Sequence, residues 1–169
     1  MINLNDSVDT VFKDELLSIY GNEQAIPSFG VEENLRKSLA FYHLFDHKLL
    51  MVALIEKGIS IELFQAIVKE SPYSLAQWSE FTGIPYRTIQ RYNKEDKYLK
   101  PVHAEKVLEI SEVLKKGLDV FGDGKKLLKW LGSEKYIFGN KKPIDLLSNS
   151  VGKDLVMQEL HRIEHGLFA

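Results

Sequence analysis

The sequence predicts an all-α fold: N-terminal helices, a helix-turn-helix domain and a small helical C-terminal domain. Three observations carry that prediction. Apolar residues recur at spacings of three and four, no run alternates apolar with polar as a half-buried strand does, and Ser, Gly and Pro stand where such helices would start and stop. At 169 residues, with 44% hydrophobic and 27% charged side chains, the chain can bury a core in one domain or two small ones. Cysteine is absent, which excludes disulfides, thiolate metal sites, iron-sulfur clusters and thiol nucleophiles. The longest apolar run, Leu49 to Ile55, is too short to cross a bilayer, and the acidic N-terminus lacks the layout of a signal peptide. A cytoplasmic protein with no membrane partner is expected.

The elements follow in order. A short helix is expected around Val11 to Tyr20, broken by Gly21, Pro27 and Gly30. Leu35, Leu39, Tyr42, Leu44 and Phe45 predict a helix over Glu32 to Asp46; His47 to Lys57, ended by Gly58, is a second, and Ser60 caps a third to Glu70. Ser74 then caps a short helix, Gly83 makes a sharp turn and Pro85 is pre-set for the next helix start. A long helix spans Pro101 to about Phe121, with Val102, Val107, Leu108, Ile110, Val113, Leu114, Leu118 and Phe121 expected inside. Gly122 and Asp123 read as a C-cap followed by an N-cap for a helix to Leu131. Beyond an irregular stretch, Pro143 starts a turn or two of helix, and Ser150 is expected to cap a last helix that Gly166 stops. Trp78 and Trp130 are both expected to be largely buried.

Charge is uneven. Lys and Arg against Asp and Glu run 5 to 9 over residues 1–60, 1 to 2 over 61–73, 5 to 3 over 74–100 and 11 to 10 over 101–169, so the third stretch reads as the basic one. There, Leu75, Trp78 and Phe81 on one short helix meet Ile84 and Ile89 beyond a glycine turn, the way a helix-turn-helix holds its second helix. Tyr86, Arg87, Gln90, Arg91 and Lys94 remain exposed on that second helix. Arg forks onto guanine or phosphate, Gln onto adenine, and Thr88 hydrogen-bonds a phosphate, so these six residues are the candidate DNA contacts. Spacing alone also fits two short helices that merely pack.

From about Gly58 onward, roughly two thirds of the chain resembles the Xre/MbcA/ParS family of bacterial antitoxins, partners of RES-domain toxins. Three places carry the resemblance: Gly83 to Tyr92; Val120 to Asp123 with Trp130 and Leu131; and Pro143 to Leu147 followed by Gly152, Val156, Leu160 and Arg162 to Gly166. The resemblance implies an N-terminal segment of open role over 1–57, an Xre-like DNA-binding domain over 58–115 and a toxin-binding domain over 116–169. It implies a homodimer that neutralises an NAD-degrading RES-domain toxin by occluding its active site, represses its own operon by binding operator DNA, needs no cofactor and catalyses nothing. The residues it marks for toxin binding are Leu146, Leu147, Gly152, Val156, Arg162, Glu164, His165, Gly166, Leu167 and Phe168. The competing reading is a stand-alone transcriptional regulator with a C-terminal dimerisation domain.

Residue patterns bear on the same segment. Val151, Leu155, Val156, Leu160 and Ile163 form a stripe, and Leu167 and Phe168 lie beyond the Gly166 stop, where a partner would cover them unless the tail folds back on its own helix. His161, Glu164 and His165 match the H-x-x-E-H pattern of zinc peptidases, but only four residues follow to supply a further ligand. His43 and His47, beside Asp46, read as a solvated helix face. No phosphate loop follows a strand, and no nucleophile elbow surrounds a serine.

Overall fold

A computed structural model describes residues 6–21 and 41–166. Among these the protein is all-α: nine α-helices and two 3-10 helices, with two isolated bridges, Ser60 to Tyr98 and Lys135 to Lys141. The chain divides into two compact units between Val107 and Leu108, inside a long helix.

The first unit contains α1 (Asp6–Tyr20), a 3-10 helix (Phe41–Asp46), α2 (Lys48–Lys57), α3 (Ile61–Glu70), α4 (Leu75–Thr82), α5 (Tyr86–Glu95) and the start of α6 (Pro101–Phe121). The helix expected over Glu32 to Asp46 falls largely outside the described residues. Its described end is a 3-10 turn, not α-helix, because α2 begins at once and the His47 amide bonds the Leu44 carbonyl at 3.0 Å, three residues back. Helices α2 and α3 end and begin as expected, at Gly58 and at Ser60, whose hydroxyl accepts from the Leu63 amide at 3.1 Å.

Phe12 and Leu16 bury the inner face of α1, which packs on α3. Lys57 ties this layer to the chain beyond α5: its ammonium lies 3.6 Å from the Glu15 carboxylate, hydrogen-bonds the Ser18 hydroxyl and sits 4.8 Å over the Tyr98 ring. The strand-like pairing of 59–61 with 97–99, through Leu99 N to Ile59 O (2.7 Å) and Ile61 N to Lys97 O (3.1 Å), fixes the path of the chain from α5 to α6.

The second unit contains the rest of α6, α7 (Gly124–Leu131), a 3-10 helix (Tyr136–Phe138), α8 (Pro143–Leu146) and α9 (Ser150–Glu164). Its core is Leu108, Ile110, Val113 and Leu114 of α6, Leu127 and Leu131 of α7, Leu147, and Val156 and Leu160 of α9. Asp123 caps α7 as expected, accepting from the Lys125 amide at 2.8 Å.

Four expectations are corrected. Val102 is 65% exposed, because it stands in the first turn of α6, ahead of the inward row that starts at Ala104. Asn149 caps α9 in place of Ser150: its side-chain oxygen accepts from the Gly152 amide at 2.9 Å, and Ser150 is the first helical residue. Val151 and Leu155 are 70% and 46% exposed, since the inward row of α9 is Gly152, Val156 and Leu160, each four residues apart, and Val151 and Leu155 lie one residue, about 100°, round the helix. Trp130 is half-buried, 5.6 Å from Phe121 and 6.4 Å from Phe138 between ring centroids, where Trp78 is sealed.

Candidate functional site

The α4–turn–α5 element is built from its caps inward. Ser74 and Gln77 form a reciprocal capping box: Gln77 Oε1 accepts from the Ser74 amide at 2.9 Å, and Ser74 Oγ accepts from the Gln77 amide at 3.4 Å. Gly83 ends α4 at φ 68°, a left-handed conformation that a side chain would strain. The turn is then locked by hydroxyls: Ser79 donates to the Ile84 carbonyl at 2.6 Å, and Thr82 donates to the Trp78 carbonyl at 2.6 Å. Trp78 is fully buried; its indole N–H donates to Ser71 Oγ at 2.7 Å and its ring stands edge-on to Phe64 at 6.0 Å. Tyr73 meets Phe81 edge-on at 5.0 Å, and burial pushes its phenol up to about 12.

Ile89 is the buried residue of α5 and Ile84 is buried in the turn ahead of it, so most of that helix faces outward. Tyr86, Arg87, Gln90, Arg91 and Lys94 are exposed, and Thr88 is half-buried. Arg87 and Arg91 are one turn apart, and the Arg91 guanidinium sits 5.5 Å from the Tyr92 ring centroid. Just past them Lys97 is bound to Glu95, 2.5 Å between charged atoms. The hydrogen bond from Lys97 holds Glu95 below the usual carboxylate range, against its desolvation, with the Lys97 and Arg91 charges adding. The free donors of this face are therefore those of α5 itself, a fork-and-amide set suited to phosphates and base edges.

In the second unit the residues marked by the sequence fall into two groups. Leu147, Gly152 and Val156 are buried and Leu146 is half-buried, so they hold α8 against α9 instead of presenting a surface. At Gly152 the approach leaves no room: a Cβ there would lie 2.1 Å from the Leu146 carbonyl oxygen. Arg162 is half-buried, with its guanidinium 3.4 Å from Glu159, while Glu164, His165 and Gly166 are exposed. Leu167 and Phe168 lie outside the described residues.

Glu164 is taken up by a lysine. Lys116 hydrogen-bonds its carboxylate and, as the main cause, holds it below the usual range; desolvation opposes, and the hydrogen bond from His161 and the charge of His165 add. His161 and His165 stand 3.6 and 4.0 Å from it. A second lysine, Lys153, pairs with Glu112 of α6 at 2.7 Å, so two ion pairs tie α9 to α6.

Sequence reasoning missed three exposed apolar places in this unit, at Tyr136, Ile137 and the Val151–Leu155 face. Summing charge over the whole of residues 101–169 hid a further one, a lysine-rich stretch from Gly124 to Lys142.

Residues 116–166 match the family model described as Antitoxin Xre/MbcA/ParS C-terminal toxin-binding domain. The chain is also 27% identical over 121 residues to Antitoxin Xre of Yersinia enterocolitica serotype O:8 / biotype 1B (strain NCTC 13174 / 8081), a match covering 71% of this chain and 82% of the relative. Both findings bear out the resemblance read from the sequence: the protein is similar to the antitoxins of the Xre/MbcA/ParS family, and residues 116–166 are its counterpart of their toxin-binding domain.

Proposed function

We propose that this protein is the antitoxin of a two-component system, that it neutralises a RES-domain, NAD-degrading toxin by covering the active site, and that it represses its own operon as a homodimer. The observation that carries the reading is the match of residues 116–166 to a toxin-binding domain. The half-buried Arg162 and the exposed Glu164 and His165 at the end of α9 support it, since they set polar groups next to the exposed Gly166. The antitoxin acts by occlusion and catalyses nothing itself. The domain assignment is 58–115 for DNA and 116–169 for toxin, with the role of 1–57 open.

DNA binding is assigned to α5, inserted in the major groove with Arg87, Gln90 and Arg91 toward the bases and Tyr86, Thr88 and Lys94 toward the backbone. The exposed α5 face, over a turn locked by Gly83, Ser79 and Thr82, supports this second role. Co-expression of the tagged chain with a RES-domain toxin tests the proposal. The toxin is expected to co-purify and the cells to grow; loss of the Gly166 to Ala169 tail is expected to leave the fold intact and weaken protection. A chain that binds operator DNA yet retains no toxin would return the stand-alone regulator.

A further inference from the structure

We infer that residues 124–142 form a basic, apolar-tipped docking element for an acidic protein surface, which steers and anchors the toxin. The inference rests on the toxin-neutralising reading and goes beyond it by naming the segment and the chemistry of the partner's face.

Charge comes first. Between Gly124 and Lys142 the chain places six lysines against the single acid Glu134, while the remainder of residues 101–169 carries five bases and nine acids. This excess exceeds that of residues 74–100, five to three. Lys125, Lys126, Lys129, Lys141 and Lys142 are exposed. Among the described residues none of these five has an ion-pair partner, in contrast to Lys116 and Lys153 of the same unit. Unpaired charge of one sign raises the rate of encounter with a surface of the opposite sign.

The tip supplies the anchor. The loop after α7 closes on itself: the Lys135 amide donates to the Lys141 carbonyl at 3.1 Å, and the Phe138 and Asn140 amides both donate to the Lys135 carbonyl at 3.0 Å. Gly139 and Asn140 take φ values of 65° and 60°, the left-handed turn that Gly and Asn adopt most readily. Below, Phe138 stands edge-on to Trp130, and the Lys135 ammonium donates to Ser133 Oγ at 2.7 Å. The loop is therefore held from both sides, yet Tyr136 and Ile137 at its tip are 92% and 48% exposed.

An apolar pair presented on a hydrogen-bonded loop loses little conformational freedom when a partner covers it. An exposed tyrosine and aliphatic residue flanked along the chain by exposed lysines supply the two components of a protein interface, apolar groups and charged ones. Nucleic acid fits less well, because Ile137 offers a phosphate nothing and a base edge no more than a methyl contact.

The test is association kinetics of the full chain with a RES-domain toxin that it neutralises, across ionic strengths. Lys125→Gln, Lys126→Gln and Lys129→Gln together are expected to lower the association rate about tenfold at low salt and to flatten its salt dependence. Tyr136→Ala with Ile137→Ser is expected to raise the dissociation rate about thirtyfold at an unchanged melting temperature, since both side chains are exposed. Wild-type kinetics for both variants overturn the inference. So does a lysine variant that loses affinity for an oligonucleotide while keeping its toxin kinetics. If the wild-type chain binds no RES-domain toxin, the toxin-neutralising reading falls and this inference with it.

Discussion

Trp78 in the first unit is sealed against Phe64 with its indole N–H satisfied by Ser71, whereas Trp130 in the second stays half-buried between Phe121 and Phe138. The same residue type thus marks two different constructions. Around Trp78 the core is closed by hydroxyl-to-carbonyl bonds, and what remains outside on α5 is mostly polar, arginine, glutamine and lysine beside Tyr86. Around Trp130 the outside keeps apolar groups, Tyr136, Ile137, Val151 and Leu155. A surface of hydrogen-bond donors suits a polyanion, and an apolar surface suits another protein. The contrast accords with a chain that holds one partner class by each unit.

The largest effect that can break this comparison is on stability. Trp78→Ala is expected to cost about 4 kcal/mol, from cavity formation and the lost indole hydrogen bond to Ser71, and Trp130→Ala about 2 kcal/mol or less, in urea melts of the full chain. Equal losses would mean that the two tryptophans do the same work. Next comes Gly152→Ala, where the new methyl meets the Leu146 carbonyl. Prying α9 from α8 is expected to cost about 2 kcal/mol and to weaken toxin neutralisation, while operator binding through α5 persists.

On the polar side, Arg87→Ala and Arg91→Ala are each expected to weaken operator binding by about 1 kcal/mol or more at fixed salt, with toxin binding unchanged. Gel-shift titration reads the effect, and unaltered affinity would remove α5 as the DNA-facing helix. The smallest effect is electrostatic. Glu164 is held below its ordinary value of 4.5 by Lys116, so its contribution is present above about pH 4.5 and fades as pH falls through the lowered value. Glu164→Gln is expected to lower stability across the neutral range by that share, a small one because Glu164 itself is exposed, and to converge on the unsubstituted chain at low pH, where the carboxyl is protonated.

Much of this organisation was legible in the sequence because helix ends are local. Ser60, Ser74, Gly83, Gly122 and Asp123 act within a few residues of themselves, and each sits where its chemistry placed it. The candidate α5 face was legible for the same reason, since burial of Ile84 and Ile89 leaves one side of a short helix outward. What the sequence hid depends on tertiary context. Val151 and Leu155 share the periodicity of Val156 and Leu160, and only the close approach of Gly152 to Leu146 decides which row turns inward. Asn149 and Ser150 are both good caps, and the start of α9 selects between them. Trp130 looks like core by residue type, yet the loop that would cover it ends at Phe138 and turns Tyr136 away.

The central claim is that the second unit binds and silences an NAD-degrading toxin, and NAD turnover by that toxin measures it most directly. With the full chain added at increasing ratio, NAD consumption by a purified RES-domain toxin is expected to fall to background as the two proteins co-elute in size-exclusion chromatography, and the Gly152→Ala chain is expected to require a higher ratio. Undiminished NAD consumption in the presence of a co-eluting, fully folded chain would contradict the account.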